Sequence, residues 1–222
     1  MTKKYEFVEG DEKVLPNGVT VRRIRSLAFI ADTTFSPAVE VGELGGYIQS
    51  ESNLEIIVSS NAWVYGNACV YGDARVYGNA RVSGNARVSG NACVSGNACV
   101  YGNACVYGNA WVYGDASVYG NARVYGDARV SGDAWVYGDA RVYGDAWVYN
   151  DGLVFWVSKV GYENGTLTVY NTTSNDLLVT RGCFIGTPDE FLTASRKKHD
   201  ADTHEEYQLL IKVATSRINK AR

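Results

Sequence analysis

Between residues 61 and 150 the apolar and polar positions follow a strict period of six. Val stands at 64 and at every sixth position to 148, Ala does the same from 62 to 146, and Gly from 66 to 144. The unit reads [Asn/Asp]-Ala-x-Val-[Tyr/Ser]-Gly, with Trp, Cys, Arg or Ser at x. A short invariant period marks stacked supersecondary units, and a period of six predicts a parallel β-helix. In x-Val-Tyr, alternation sends Val to one side of a short strand and its neighbours to the other. Val never varies and its neighbours do, so Val faces the core and the x and Tyr/Ser positions face outward. Gly and the following Asn or Asp are expected to make the corner together, because both tolerate left-handed backbone. Ala then points inward where the corner leaves room for a methyl group. Three hexads make one triangular coil of 18 residues, so fifteen hexads give five coils, a prism about 24 Å long at ~4.8 Å per rung.

The pattern changes on both sides. Residues 1–60 form an N-terminal β cap with a hairpin at Leu15-Pro16-Asn17-Gly18-Val19, and Ile56 to Asn61 reads as a first degenerate hexad. Residues 151–222 form a C-terminal α+β cap. Its expected strands lie near 153–159, 166–171 and 177–184, the first two joined around Asn164-Gly165. Two capping boxes predict helices, at Thr187-Pro188-Asp189-Glu190 and at Thr203-His204-Glu205-Glu206. In the second helix Tyr207, Leu210, Ile211, Ala214 and Ile218 share one face, which predicts packing on the prism end.

The pattern Val-x-Gly-Asn-Ala-x over residues 61–150 resembles the hexapeptide repeat of left-handed β-helix proteins, a group that includes many acyltransferases and bacterial polymer-forming filament proteins. The resemblance implies a single-stranded left-handed parallel β-helix. Glu43-Leu44-Gly45-Gly46-Tyr47-Ile48 and Gly182-Cys183-Phe184-Ile185-Gly186-Thr187 look like flanking motifs of uncharacterised phage and prophage repeat proteins. That likeness implies a mobile-element origin.

Residues 18 apart stack, which fixes the outward columns. The first face carries Trp63, Arg81, Cys99, Ser117 and Trp135; the second Cys69, Arg87, Cys105, Arg123 and Arg141; the third Arg75, Cys93, Trp111, Arg129 and Trp147. The companion column is mostly Tyr, with Ser83, Ser89 and Ser95 forming one ring and Ser131 interrupting the third face. Aromatic and Arg side chains are the composition of interface hot spots. Stacked Tyr and Trp rungs also read as a stabilising cover for a thin core alone. As a binding face, the expected protein-binding site is on the third face, with Trp111, Arg129 and Trp147 as consecutive rungs, Tyr113 and Tyr149 alongside and Arg129 stacked between two indoles.

Composition narrows the function. The net charge of −3 argues against general nucleic-acid binding, which needs a basic face. No apolar run is long enough for a membrane helix, and Met1 to Glu6 has no apolar signal core, so a cytoplasmic protein is expected. Its five cysteines lack a C-x-x-C pair and are expected to be reduced thiols, without a metal or other cofactor. The repeat has no His, Lys or Glu, so the base used by acyltransferases of this group is missing from the coils. His199-Asp200-Ala201-Asp202-Thr203-His204 is expected to be a polar linker between the helices. These observations point to a non-catalytic, homo-oligomeric interaction protein binding a host or phage protein, with an inhibitor of a bacterial defence system as one specific form. A degenerate acyltransferase or small-ligand binder, and a filament-forming element, are the alternatives.

Overall fold

The computed structural model describes residues 2–34 and 36–222. The hexads form fifteen two-residue strands, β4 to β18, one at each x-Val pair from Trp63–Val64 to Trp147–Val148. Each pairs in parallel with the strand 18 residues on, as Trp63 does with Arg81 and Val64 with Val82. Three parallel sheets result, one for each side of the prism. Every Val and every Ala of the repeat is fully buried, as the invariance of these two positions requires.

The corners differ from expectation. The repeat glycines have positive φ, but no corner Asn or Asp does. A Cβ on Gly96 would also lie 2.9 Å from the backbone nitrogen of Gly114, so glycine is needed for room as well as for conformation. The Asn side chains instead bond along the prism. Asn61 donates to Asn79, Asn79 to Asn97 and Asn97 to Asp115; a second corner runs Asn85, Asn103, Asn121, Asp139, and a third Asn91, Asn109, Asp127. A carboxylate accepts but cannot donate. Each ladder therefore ends where an Asp follows an Asn, and Asp73, one rung before Asn91, cannot start the third ladder earlier.

At the N-terminal end, strands β1 (Tyr5–Val14) and β2 (Thr20–Ser26) form the expected hairpin, and β2 pairs antiparallel with β3 (Leu44–Ile48). Strand β3 then pairs in parallel with the second repeat strand, Tyr47 opposite Cys69 and Ile48 opposite Val70. Parallel pairing thus begins before the strict repeat, and the solenoid has roughly six turns rather than five. The hexad rule fails in this first turn because a short helical turn at Glu51–Asn53 replaces a corner. Asn53 compensates by donating to the carbonyls of Gly72 and Ala74, 2.9 Å each. Lys4, fully buried, donates from Nζ to the carbonyls of Ala62 (2.8 Å) and Ser60 (3.1 Å). Burial lowers its pKa to about 7.

The C-terminal cap is a four-stranded antiparallel sheet: β19 (Val154–Val160), β20 (Gly165–Asn171), β21 (Leu177–Arg181) and β22 (Phe184–Gly186). The strand expected near 177–184 is two strands, because Gly182 turns the chain with φ +60°. Side chains of this sheet satisfy the last coil. The backbone N–H of Arg141 donates to Thr168 Oγ1, Thr180 Oγ1 donates to the Arg141 carbonyl, and Asn171 Nδ2 to the Trp147 carbonyl. Both ends of the prism are therefore covered, which removes edges open to further strand pairing.

Helix α1 (Pro188–Lys198) begins at the predicted capping box. Helix α2 (Ala201–Ala221) starts three residues earlier than predicted, because Asp200 is the N-cap and accepts from the Thr203 N–H. The supposed linker is thus reduced to His199 and Asp200. Tyr207, Ile211, Ala214 and Ile218 are buried and Leu210 is half-buried, on the face of α2 turned to the cap and the last coil. No described helix is long and apolar enough to cross a membrane.

Candidate functional site

The third face is one parallel sheet, in the order β18, β15, β12, β9, β6. Its register sets Trp111 opposite Arg129 and Arg129 opposite Trp147, so the three predicted rungs are adjacent. Trp111 is 50% exposed and Trp147 37%, and Arg129 is exposed. Tyr113 and Tyr149 are half-buried; Tyr113 meets Trp111 edge-on at 6.5 Å and Tyr149 tilts against Trp147 at 5.0 Å.

One expected feature is not formed. Arg129 does not stack on either indole: its guanidinium has no cation–π partner, ion pair or side-chain hydrogen bond among the described residues. The reason lies in the neighbours. On the other two faces the tyrosines stack on one another, Tyr101–Tyr119–Tyr137 at 4.7 and 4.9 Å and Tyr107–Tyr125 at 4.8 Å. On the third face Ser95 and Ser131 stand on either side of Tyr113 and prevent such a stack. Each Trp turns to the Tyr of its own hexad instead of to the Arg of the next rung.

The outward slot is not uniformly exposed. On the first face Trp63 is fully buried and Arg81 is 2% exposed, because the N-terminal cap lies over them. Trp63 packs edge-on against Tyr5 at 6.3 Å. Arg81 donates from Nη1 to the Tyr65 hydroxyl (2.7 Å) and from Nη2 to the Ala31 carbonyl, and the Tyr65 hydroxyl donates to the Pro37 carbonyl at 2.9 Å. Burial raises the pKa of Tyr65 and lowers that of Arg81. Cys69, Cys99 and Ser117 are buried too, as short side chains set among taller rungs. All five cysteines are free thiols, and burial raises the pKa of Cys69, Cys93 and Cys99.

Two concave regions adjoin these faces. One, about 580 Å³, lies at the N-terminal end of the third face, where Trp111 and Tyr77 meet Leu54 and Ile56 of the first turn. The other, about 490 Å³, forms where Trp156 of β19 packs edge-on against Tyr137 at 4.3 Å, beside Trp135, Arg217 and Lys220. Nothing in the hexad pattern signals the second, because Trp156, Arg217 and Lys220 lie outside the repeat. Among the described residues, no group of three His, Cys, Asp or Glu side chains is placed to hold a metal ion. His204 Nδ1 lies 3.1 Å from Ser195 Oγ and ties α2 to α1, while His199 ends α1 beside Tyr207.

The family model of the YdcK β-solenoid repeat matches the chain at residues 74–90, 80–96, 86–102, 98–114, 116–132, 122–138 and 134–150. No curated protein matches the chain. All seven matched stretches fall inside the coils, and the caps lie outside them. With three parallel sheets stacked at an 18-residue register and this match along them, the chain is a repeat β-solenoid protein.

Proposed function

We propose that the chain is a non-catalytic binding protein that docks a protein partner on the third face, through Trp111, Arg129 and Trp147. One observation carries this reading: two half-exposed indoles flank an exposed guanidinium that has no partner among the described residues. Apolar area and unused donors in adjoining rungs are what a hot spot supplies. Chemistry in the coils is disfavoured on composition, since no His, Lys or Glu stands in the repeat to act as a base. The likeness of the flanking motifs to phage and prophage repeat proteins makes the partner a host or phage protein, met in the cytoplasm of the host cell. Inhibition of a bacterial defence system is the specific role this origin favours.

The test is capture from a host lysate by the wild type, by a variant combining Trp111→Ala, Arg129→Ala and Trp147→Ala, and by a second-face control combining Arg87→Ala and Arg123→Ala. The expected result is one specific partner retained by wild type and control and lost by the third-face variant, with melting temperatures within a few degrees. Equal capture by all three proteins overturns the assignment of the face.

A further inference from the structure

The rung set on the third face is a second copy of one that already holds a peptide. Trp63, Tyr65, Arg81 and Ser83 on the first face correspond to Trp111, Tyr113, Arg129 and Ser131 on the third, each shifted by 48 residues. In the first set, Trp63 is covered by the cap. Arg81 donates to the Ala31 carbonyl, and Tyr65 donates to the Pro37 carbonyl. The peptide between them is a narrow loop closed by the paired backbones of Ile30 and Val39. Its Asp32 directly follows Ala31, whose carbonyl Arg81 holds, and no ion pair joins the two side chains among the described residues. From Leu27 to Glu43 the segment has three acidic residues and no basic one.

In the second set the same donors are unused. The Tyr113 hydroxyl and the Arg129 guanidinium have no hydrogen-bond partner among the described residues, and the Ser rungs at 95 and 131 keep Tyr113 out of a tyrosine stack. Arg75, also exposed, adds positive charge three rungs from Arg129 on the same face. Identical donors at an identical register select the same acceptors, and a bidentate guanidinium favours carbonyl and carboxylate oxygens.

We infer that Trp111, Tyr113 and Arg129 form a docking site for an acidic hairpin loop of the partner protein, Arg129 and Tyr113 holding main-chain carbonyls on its two arms as Arg81 and Tyr65 hold those of Ala31 and Pro37 in this chain. The inference rests on the docking face proposed above and gives its partner a chemistry: two main-chain carbonyls on facing arms of a hairpin loop, with a carboxylate next to the one that meets the guanidinium. The repeat supplies the set; the absence of a cap over it leaves it vacant for another chain.

The probe is a labelled synthetic peptide of residues 27–40 of this chain, titrated onto the full-length protein by fluorescence anisotropy. Arg129→Gln and Trp111→Ala are each expected to weaken binding at least tenfold, and Arg123→Gln on the second face to leave it unchanged. Replacing Asp32 of the peptide by Lys should weaken binding to the wild type by a similar factor. Equal binding to wild type and Arg129→Gln, or none to the wild type at millimolar peptide, overturns the inference. Sedimentation velocity covers the other occupant: self-association lost in Arg129→Gln would mean a second copy fills the site and would overturn the assignment to a foreign partner. If the peptide fails while lysate capture still depends on Trp111, Arg129 and Trp147, the docking face stands and the acidic-peptide chemistry falls.

Discussion

Trp63 and Trp111 occupy the same slot of the same hexad, with a Tyr two residues on and an Arg one rung below, yet one is fully buried and the other half exposed. The repeat decides which side chains stand together; the caps decide which of them meet water. On the first face the combination is a structural joint that fastens Ala31 and Pro37 to the prism. On the third it is a surface with unsatisfied donors. One sequence pattern is therefore a buried joint in one place and an exposed surface in the other, and only the neighbouring segment separates the two.

The sharpest way to break this comparison is to remove the same side chain from both places. Trp63→Ala should destabilise by about 3–5 kcal/mol, as for a buried aromatic leaving a cavity, whereas Trp111→Ala should cost less than about 1 kcal/mol. The Arg partners should follow with smaller effects. Arg81→Met strands the Ala31 carbonyl and the Tyr65 hydroxyl and should cost roughly 1–3 kcal/mol, while Arg129→Met should be near neutral. Urea unfolding of the four variants checks both pairs. Equal losses at 63 and 111 would show that the cap does not make the difference.

A second test uses pH, because the covered end contains a buried amine and the open face has none. In the folded chain Lys4 has its pKa lowered to about 7 by burial, against 10.5 for a free lysine. Between these values the unfolded chain holds a proton that the folded chain has released, so stability rises with pH. The cost of burying the ammonium is fully present below pH 7 and fades as pH climbs toward 10.5. Stability should gain on the order of 2 kcal/mol from pH 7 to 9. In Lys4→Met that slope should vanish and a constant loss from the unpaired Ser60 and Ala62 carbonyls should remain. A slope unchanged by the substitution would assign it to other groups.

The smallest effect concerns the ladders at the corners. Asp115→Asn would add a donor toward Asp133 and lengthen the first ladder by one bond, with a gain of a few tenths of a kcal/mol. The reverse change, Asn97→Asp, should lose a similar amount by setting two carboxylates one rung apart. Thermal melts of the two variants compared with the wild type resolve the sign.

The coils were legible because their rule is local. Val, Ala and Gly are fixed by a core too narrow for anything larger and a bend too tight for a Cβ, and both constraints recur every six residues. The corner role of Asn was misread because its use is between rungs, 18 residues apart, while its backbone stays ordinary. Of the extra turn at Leu44–Ser60 only the last hexad, Ile56 to Asn61, was legible, because a helical turn at Glu51–Asn53 and side-chain donors from Asn53 and Lys4 replace the regular corner pattern and leave no periodic trace. The helix start at Ala201 was missed for a simpler reason: Asp200 and Thr203 both offer caps, and Asp200 acts. At the site, register placed Trp111, Arg129 and Trp147 together, while the burial of Trp63 and Arg81 depends on an irregular segment that shares no period with them.

The separation of the two rung sets also has a geometric consequence. Residues 63 and 111 are 48 apart, which is eight hexads, and a hexad turns the chain by one side of a triangle. Nine hexads would have put the second set on the same side as the first, in line with the cap. Eight sends it around the corner. The address of any outward side chain is thus its hexad number counted in threes. Inserting a single hexad between residues 81 and 111 would move the aromatic site to another side of the prism with its chemistry intact. Inserting three would keep its side and shift it along the axis by ~4.8 Å. Length in this molecule is both a ruler and a compass.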